Sequence, residues 1–232
     1  MTQPIAALCA GASQGLVTSI AERLRSELGV HTTGRFGAVG AMKEAFVAGE
    51  DCDFMILTDT MIRAMVADGQ LRADTVTPLG SVRTGVAVPV GQALPDVSTA
   101  EALASVFTRA SSLWIPDTVK STAGIHMRKV INALGLAESM EPKLREFPNG
   151  ATAMRAMAES GDPAAIGCTQ VSEILFTSGV ALVGPLPKVF ELGTVYSAAV
   201  SSRAANAAIA HSVIALLASE SSAALRSQCG FE

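Results

Sequence analysis

One stretch constrains the fold more than any other: residues 5–21, IAALCAGASQGLVTSIA. Ile5–Cys9 is a short apolar run of strand length. It breaks into a turn of small residues, Gly11-Ala12-Ser13-Gln14-Gly15. Apolar residues then recur at Leu16, Ile20 and Leu24, which is helical spacing. A buried strand that passes through a tight turn directly into a helix is the opening of an α/β unit. The helix start supplies unpaired backbone N–H groups and the positive end of a dipole, a seat for an anion. Ser13 also suits helix capping, so two readings of this serine stay open.

The alternation continues. Val30–Phe36 is β-rich, Gly37–Gly49 is small and helical, and Cys52–Leu57 is an apolar strand. Thr58-Asp59-Thr60 is a cluster of capping residues that opens a helix with Met61, Met65 and Val66 as its core stripe. This strand–helix order implies parallel strands with helices on both faces. A longer β-run covers Ser81–Val90 and ends in the break Gly91–Pro95. A helix then starts with Ser98 as cap and Glu101 at the capping-box position. Ser112–Ile115 is a strand, followed by a polar loop and a helix to Gly135. Residues 149–160 form an amphipathic helix, 163–176 a strand, a polar break and a helix, and 180–187 a strand closed by prolines. Thr194–Val200 is a second long apolar run, with helices from about Arg203 to Ser219 and at the end of the chain.

The two apolar runs near Val86 and Ala198 bracket a middle section with its own strand–helix repeats. The expected layout is therefore two lobes: 1–84 plus 201–232 as lobe I, and 85–200 as lobe II. Hinge strands fall near 85–89 and 195–200. Each lobe is expected to be a mainly parallel sheet flanked by helices. Ligands of such folds sit in the cleft at the carboxyl ends of strands, and hinge closure is a standard response to binding.

Composition excludes several function classes. Only 16% of residues are charged, the net charge is −4 and aromatics make up 4%, which argues against nucleic acid as a partner. Cys9, Cys52, Cys168 and Cys229 show no C-x-x-C spacing, and His31, His126 and His211 form no H-x-x-x-H pair. Neither a metal site nor a cofactor is expected, and the cysteines read as buried free thiols. No apolar run approaches the ~20 residues that span a bilayer. Met1-Thr2-Gln3-Pro4 leads straight into the first strand without a basic segment, a long apolar segment or a small-residue cleavage site. The expectation is a cytoplasmic chain without a leader, or a periplasmic one if Met1 precedes a mature sequence. Lack of a leader argues against a transporter partner. Oligomeric state is not legible.

With this layout the sequence resembles the type II periplasmic solute-binding proteins, and among them the molybdate/tungstate-binding family with its aconitate-isomerase-like members. The similarity runs nearly end to end. CAGASQGLVTSIAERLRSELGV is similar to that family's opening strand, serine loop and first helix. RFGAVGAMKEAFVAGEDCDFMILTDTMIRAMVADGQL is similar to its second loop, helix, strand and helix. IPDTVKSTAGIHMRKVINALG resembles its D-P-x-x-x-P-A-G-x-Y loop and helix, YSAAV its returning hinge strand, and SQCGF its closing Y-G-F.

The resemblance implies a two-lobed fold that closes on a small anion held by serine hydroxyls, backbone N–H groups and a tyrosine. Ser13 matches the first serine. The second falls in Gly37-Ala38-Val39-Gly40 and the tyrosine near Cys168, so two side-chain donors are replaced. A desolvated oxyanion with unmet hydrogen bonds binds poorly, which points away from molybdate and toward a di- or tricarboxylate. The expected ligand residues are Ala12, Ser13, Gln14, Thr58, Arg83, Lys120, Ser121, Thr122, Ala123, Thr169 and Gln170. Cationic and hydroxyl donors suit carboxylates through charge-assisted bonds. An alternative is an isomerase that shifts a double bond in an unsaturated polycarboxylate, with Lys120 and His126 as catalytic candidates and Asp59 and Glu173 as further bases. A packed helical histidine is the plainer reading of His126. A third possibility, a ligand sensor coupled to another chain, has no sequence signal of its own.

Overall fold

A computed structural model describes residues 3–232. The chain forms two compact units, one made of residues up to Ser81 together with Thr194–Glu232, the other of Val82–Gly193. The first unit opens with β1 (Gln3–Ala10) and a 3-10 turn over Gly11–Ser13. There follow α1 (Gln14–Ser19), α2 (Ala21–Leu28), β2 (Val30–Gly37), α3 (Val39–Val47), β3 (Phe54–Thr58) and α4 (Asp59–Ala67). Strand β4 (Thr77–Pro89) carries the chain into the second unit. That unit holds α5 (Ala100–Arg109), β5 (Ser112–Pro116), α6 (Thr122–Ala133), α7 (Ala137–Met140) and β6 (Leu144–Phe147). It continues with α8 (Gly150–Glu159), β7 (Ala165–Gln170), α9 (Val171–Phe176) and β8 (Val180–Pro185). Strand β9 (Gly193–Val200) leads back to α10 (Ala207–Ala218) and α11 (Ala223–Gln228).

Both units are built on one plan. In the first, β1 lies between β2 and β3, parallel to both, and β9 pairs antiparallel with β3. In the second, β5 lies between β6 and β7, parallel to both, and β4 pairs antiparallel with β7. Strand β8 is antiparallel to β4. In each case the first strand takes the centre, the second one side and the third the other. The strand order therefore reverses next to the central strand, and a crevice opens at the carboxyl ends of the strands. Three strand-to-helix loops per unit end at that edge.

Continuous apolar runs become strands here because parallel strands are covered on both faces. Phe54, Met55, Ile56 and Leu57 are each 0% exposed. In the second unit one face of the sheet packs Val86, Leu113, Ile115 and Cys168 with Leu103, Phe107, Met127 and Ile131. The other face packs Ala87 and Ala165 with Ala153, Met154, Met157 and Ile174. Trp114 and Phe147 stack beside this second cluster, 5.3 Å between ring centroids.

Three expectations differ in detail. Strand β6 has no counterpart in the sequence reading. The cap of α5 is Thr99, whose hydroxyl accepts from the Ala102 amide at 3.1 Å, and not Ser98. The Asp96 carboxylate takes the Ser98 amide at 2.9 Å, so the turn closes one residue earlier and the helix starts one residue later. Glu101 then falls outside the capping-box position. On α4 the buried stripe is Ile62 and Met65, while Met61 and Val66 are half-buried.

Candidate functional site

In the first unit, the loop after β1 sits at the carboxyl edge. Ala12 is buried and Gln14 half-buried. Ser13 is 0% exposed, and its hydroxyl donates to the Ala10 carbonyl at 2.8 Å. It stands at the N-cap position of α1 but makes no capping bond. Capping needs an extended residue, and the preceding 3-10 turn puts Ser13 at φ −94°, ψ −3°. The capping reading of Ser13 is therefore corrected. The Ile20 amide bonds to the Leu16 carbonyl and the Leu24 amide to Ile20, so the helical path runs from α1 into α2.

After β2, the turn holds Ala38 as N-cap of α3, with no side chain to cap it. After β3, Thr58 accepts from the Met61 amide at 3.3 Å and caps α4. Asp59 receives the Ser197 hydroxyl at 2.7 Å and the Arg63 guanidinium at 2.6 Å. Arg63, and with it Ser197, holds the Asp59 carboxyl below the usual carboxylate range. A carboxylate so stabilised is a weaker base than a free one.

In the second unit, Asp117 organises the loop after β5. Its Oδ1 accepts from the amides of Val119 (2.8 Å) and Lys120 (2.7 Å), and its own amide donates to Phe147 at 2.7 Å. A Cβ on Gly124 would lie 2.1 Å from the Asp117 carbonyl oxygen, so glycine is what lets this loop fold down onto α6. Ser121 takes the N-cap position in an extended conformation, φ −98° and ψ 132°, without making a capping bond. Lys120 is exposed, Thr122 half-buried, and Ala123 buried at the first turn of α6. His126 lies one turn on, and its Nε2 bonds the Phe190 carbonyl at 2.7 Å, a tie between α6 and the segment after β8.

Thr169 and Gln170 end β7. Thr169 is fully buried and donates its hydroxyl to Glu173 Oε2 at 2.5 Å. Gln170 is 3% exposed, and its amide nitrogen faces the carbonyls of Val82 (3.2 Å) and Arg83 (3.3 Å). Arg83 is half-buried on β4, close enough to help hold Glu191, after Lys188, below the usual carboxylate range. Glu173 is buried at 5% exposure, and its Oε1 accepts from the Gly150 amide at 3.2 Å. Burial pushes its carboxyl group above the usual range, against the pull of Thr169 and the amides of Ala151, Gly150 and Gln170.

The loops after β5 and β7 thus bring Lys120, Ser121, Thr122, Ala123, Thr169 and Gln170 to one edge of one sheet, because β5 and β7 are parallel neighbours. Asp117, Ser197 and the Glu173–Gly150 pairing are additions from the structure. An Asp placed just after a strand and four residues before a helix cap was a usable turn signal for the first. A hollow of about 250 Å³ lies at the opposite edge, near Val88, Arg109, Pro163 and Ile166. None of the candidate residues lines it, and ligands of α/β sheets favour the carboxyl edge. Among the described residues no three His, Cys, Asp or Glu side chains cluster as metal ligands. Cys9, Cys52 and Cys168 are buried free thiols, Cys52 pushed up to about 12 by burial and the other two higher still. Among these residues no single helix is long and apolar enough to cross a membrane.

This architecture is the α/β type II periplasmic-binding-protein fold, with mixed sheets flanked by helices. The chain belongs to the bacterial extracellular solute-binding protein family, which it matches over residues 5–232. The periplasmic molybdate-binding protein of Azotobacter vinelandii superposes with a TM-score of 0.81 at 14% identity, over 98% of each chain. The L-phospholactate-bound form of PEB3, a protein of Campylobacter jejuni, superposes with a TM-score of 0.71 at 14% identity, over 98% of this chain and 99% of the other. By sequence, an aconitate isomerase of Pseudomonas sp. is 27% identical over 184 residues, 79% of this chain and 68% of that protein.

Proposed function

We propose that this chain is a binding protein for a small organic polyanion, a di- or tricarboxylate, and not for molybdate. The observation that carries the reading is the loop 117–123. Asp117 pre-forms it, Ser121 leaves its hydroxyl out of the cap, and Lys120 stands beside the N-terminus of a twelve-residue helix. A cation, a hydroxyl and helix amides together suit a carboxylate. The turn at Ala38 offers an inorganic oxyanion no side-chain hydroxyl. The aconitate isomerase relative and the phospholactate-bound neighbour are both named for organic acids, which supports the same ligand class.

The test is thermal stabilisation by cis-aconitate, trans-aconitate, citrate, sulfate and molybdate. A ligand at about 100 times its Kd adds about 2.7 kcal/mol. Polycarboxylates are expected to raise the melting temperature and molybdate to leave it unchanged. Equal stabilisation by molybdate overturns the reading.

The relative's name favours a second reading, an isomerase of an unsaturated tricarboxylate. Its chemistry removes a proton from a methylene carbon, moves the double bond and returns a proton at the far allylic carbon. Lys120 and His126 are the candidates for proton transfer, and His126 Nε2 bonds the Phe190 carbonyl at 2.7 Å. Incubation with cis-aconitate separates the readings: an absorbance drift toward the trans isomer supports the enzyme, and a static spectrum with confirmed binding supports the receptor.

A further inference from the structure

Protein interiors leave few buried polar atoms without a hydrogen bond, and each such atom calls for a reason. Among the described residues three side-chain atoms are in this state: Gln70 Oε1, Thr84 Oγ1 and Ser172 Oγ. Gln70 lies just past α4 in the first unit, and Ser172 belongs to α9, whose Ile174 packs on the α8 face of the second sheet. Thr84, 1% exposed on β4, stands opposite Gln170, the last residue of β7. Strand β4 runs antiparallel to β7, so Thr84 falls at the carboxyl edge where the loops after β5 and β7 begin. Its backbone is fully used: the amide donates to the Leu192 carbonyl at 3.0 Å, and the carbonyl accepts from the Leu186 amide at 3.0 Å. Only the hydroxyl is left over. Ser13 and Thr169, equally buried, both spend theirs on protein acceptors.

The direction of that hydroxyl follows from the alternation of side chains along a strand. A Cβ on Gly85 would meet Val171 Cγ2 at 2.9 Å and Leu182 Cδ1 at 3.3 Å, so Gly85 faces the side of α8 and α9. Thr84 and Val86 therefore face the other way, where Val86 packs with Met127 and Ile131 of α6. The segment after β8 ties the two together: Leu192 holds the Thr84 amide, and Phe190, two residues earlier, holds His126 of α6. The hydroxyl thus points into the layer between the end of β7 and the first turns of α6, whose leading amides have no partner within the helix. We propose that Thr84 is a ligand-binding residue, the floor of the anion seat at the α6 N-terminus, and that its hydroxyl donates to a carboxylate oxygen of the bound polycarboxylate. This role rests on the ligand class proposed above. Hydroxyl and helix amides take the carboxylate from the buried side, and Lys120, which is exposed, meets it from the solvent side. An unpaired hydroxyl burdens the ligand-free protein, and the ligand relieves it.

The experiment compares wild type, Thr84→Val and Thr84→Ser by calorimetry with citrate, cis-aconitate, sulfate and molybdate, and by melting temperature without ligand. Valine keeps the shape and removes the hydroxyl, while serine keeps the hydroxyl. Thr84→Val is expected to bind the polycarboxylates about tenfold or more weakly than wild type, through loss of a hydrogen bond to a charged group. Its own melting temperature is expected to stay level or rise, since the lost hydroxyl had no partner. Thr84→Ser is expected to follow wild type in affinity. A merely structural threonine gives the opposite pair, a lower melting temperature with unchanged affinity. Wild-type affinity in Thr84→Val overturns the proposal, as does a lower melting temperature of that variant without ligand, or an equal loss of affinity in Thr84→Ser. If wild type binds sulfate or molybdate and no polycarboxylate, the ligand class is refuted, and the affinity of Thr84→Val for that anion decides on Thr84 by itself. A wild type that binds none of the four refutes both.

Discussion

Gly150→Ala isolates the buried arrangement around Glu173 with one carbon atom. That carbon would lie 1.9 Å from Thr169 Oγ1 and 2.1 Å from Glu173 Oε2, so both side chains must move. The backbone itself does not resist, because Gly150 is not among the glycines of positive φ. Movement breaks the Thr169–Glu173 bond and the Gly150 amide bond in a site of 0–5% exposure. Each buried polar group left unpaired costs about 1–3 kcal/mol. Alanine returns up to about 1 kcal/mol through helix propensity. The net expectation is a loss of about 2–4 kcal/mol, or roughly 5–15 °C in melting temperature for a chain of this size. Gly184→Ala is the control, since a Cβ there meets nothing within 4 Å. It is expected to change stability by less than about 1 kcal/mol. Urea unfolding of both variants measures the difference. A neutral or stabilised Gly150→Ala protein would refute the close approach of Glu173 to α8.

Further outcomes follow from the same geometry. Thr99→Ala removes the α5 cap and should cost about 1 kcal/mol, while Ser98→Ala keeps the Asp96 turn and should cost much less, both read by thermal melting. A thiol reagent should label Cys229 in the native protein and reach Cys9, Cys52 and Cys168 only on unfolding, since those three are buried with raised pKa values. Asp59 has a folded pKa below its ordinary 3.8, so its contribution is present above that value and is lost as pH falls through the folded pKa. The melting-temperature gap between wild type and Asp59→Asn should therefore be widest near neutrality and shrink below pH 4. Glu173 has the opposite sign: its raised pKa makes a contribution that is full below 4.5 and is lost as pH rises through the folded pKa. Glu173→Gln should thus lose its disadvantage against wild type as pH rises, in the same melting assay.

The strands of the two units were legible because parallel strands, covered on both faces, read as unbroken apolar runs such as Phe54–Leu57. The family resemblance was legible for a related reason, since the order of loops and helices survives where individual residues change. Strand β6 escaped because it is four residues long with Arg145 and Glu146 exposed between half-buried Leu144 and Phe147, so it carries neither an apolar run nor clean alternation. Ser13 has the side chain of a cap, but a 3-10 turn upstream alters its backbone. Residue type alone marks Glu173 as a base. What changes its role is Gly150, 23 residues away and brought near only when β5 places β6 and β7 on its two sides. Tertiary neighbours of this kind leave no local pattern.

The central claim is the ligand class, and titration calorimetry addresses it most directly. Wild type and Lys120→Ala are titrated with cis-aconitate and with molybdate under one buffer. The account predicts saturable binding of the tricarboxylate, weakened about tenfold or more in Lys120→Ala through loss of a charge-assisted bond, and no measurable heat from molybdate. Molybdate binding as tight as or tighter than the tricarboxylate would contradict it.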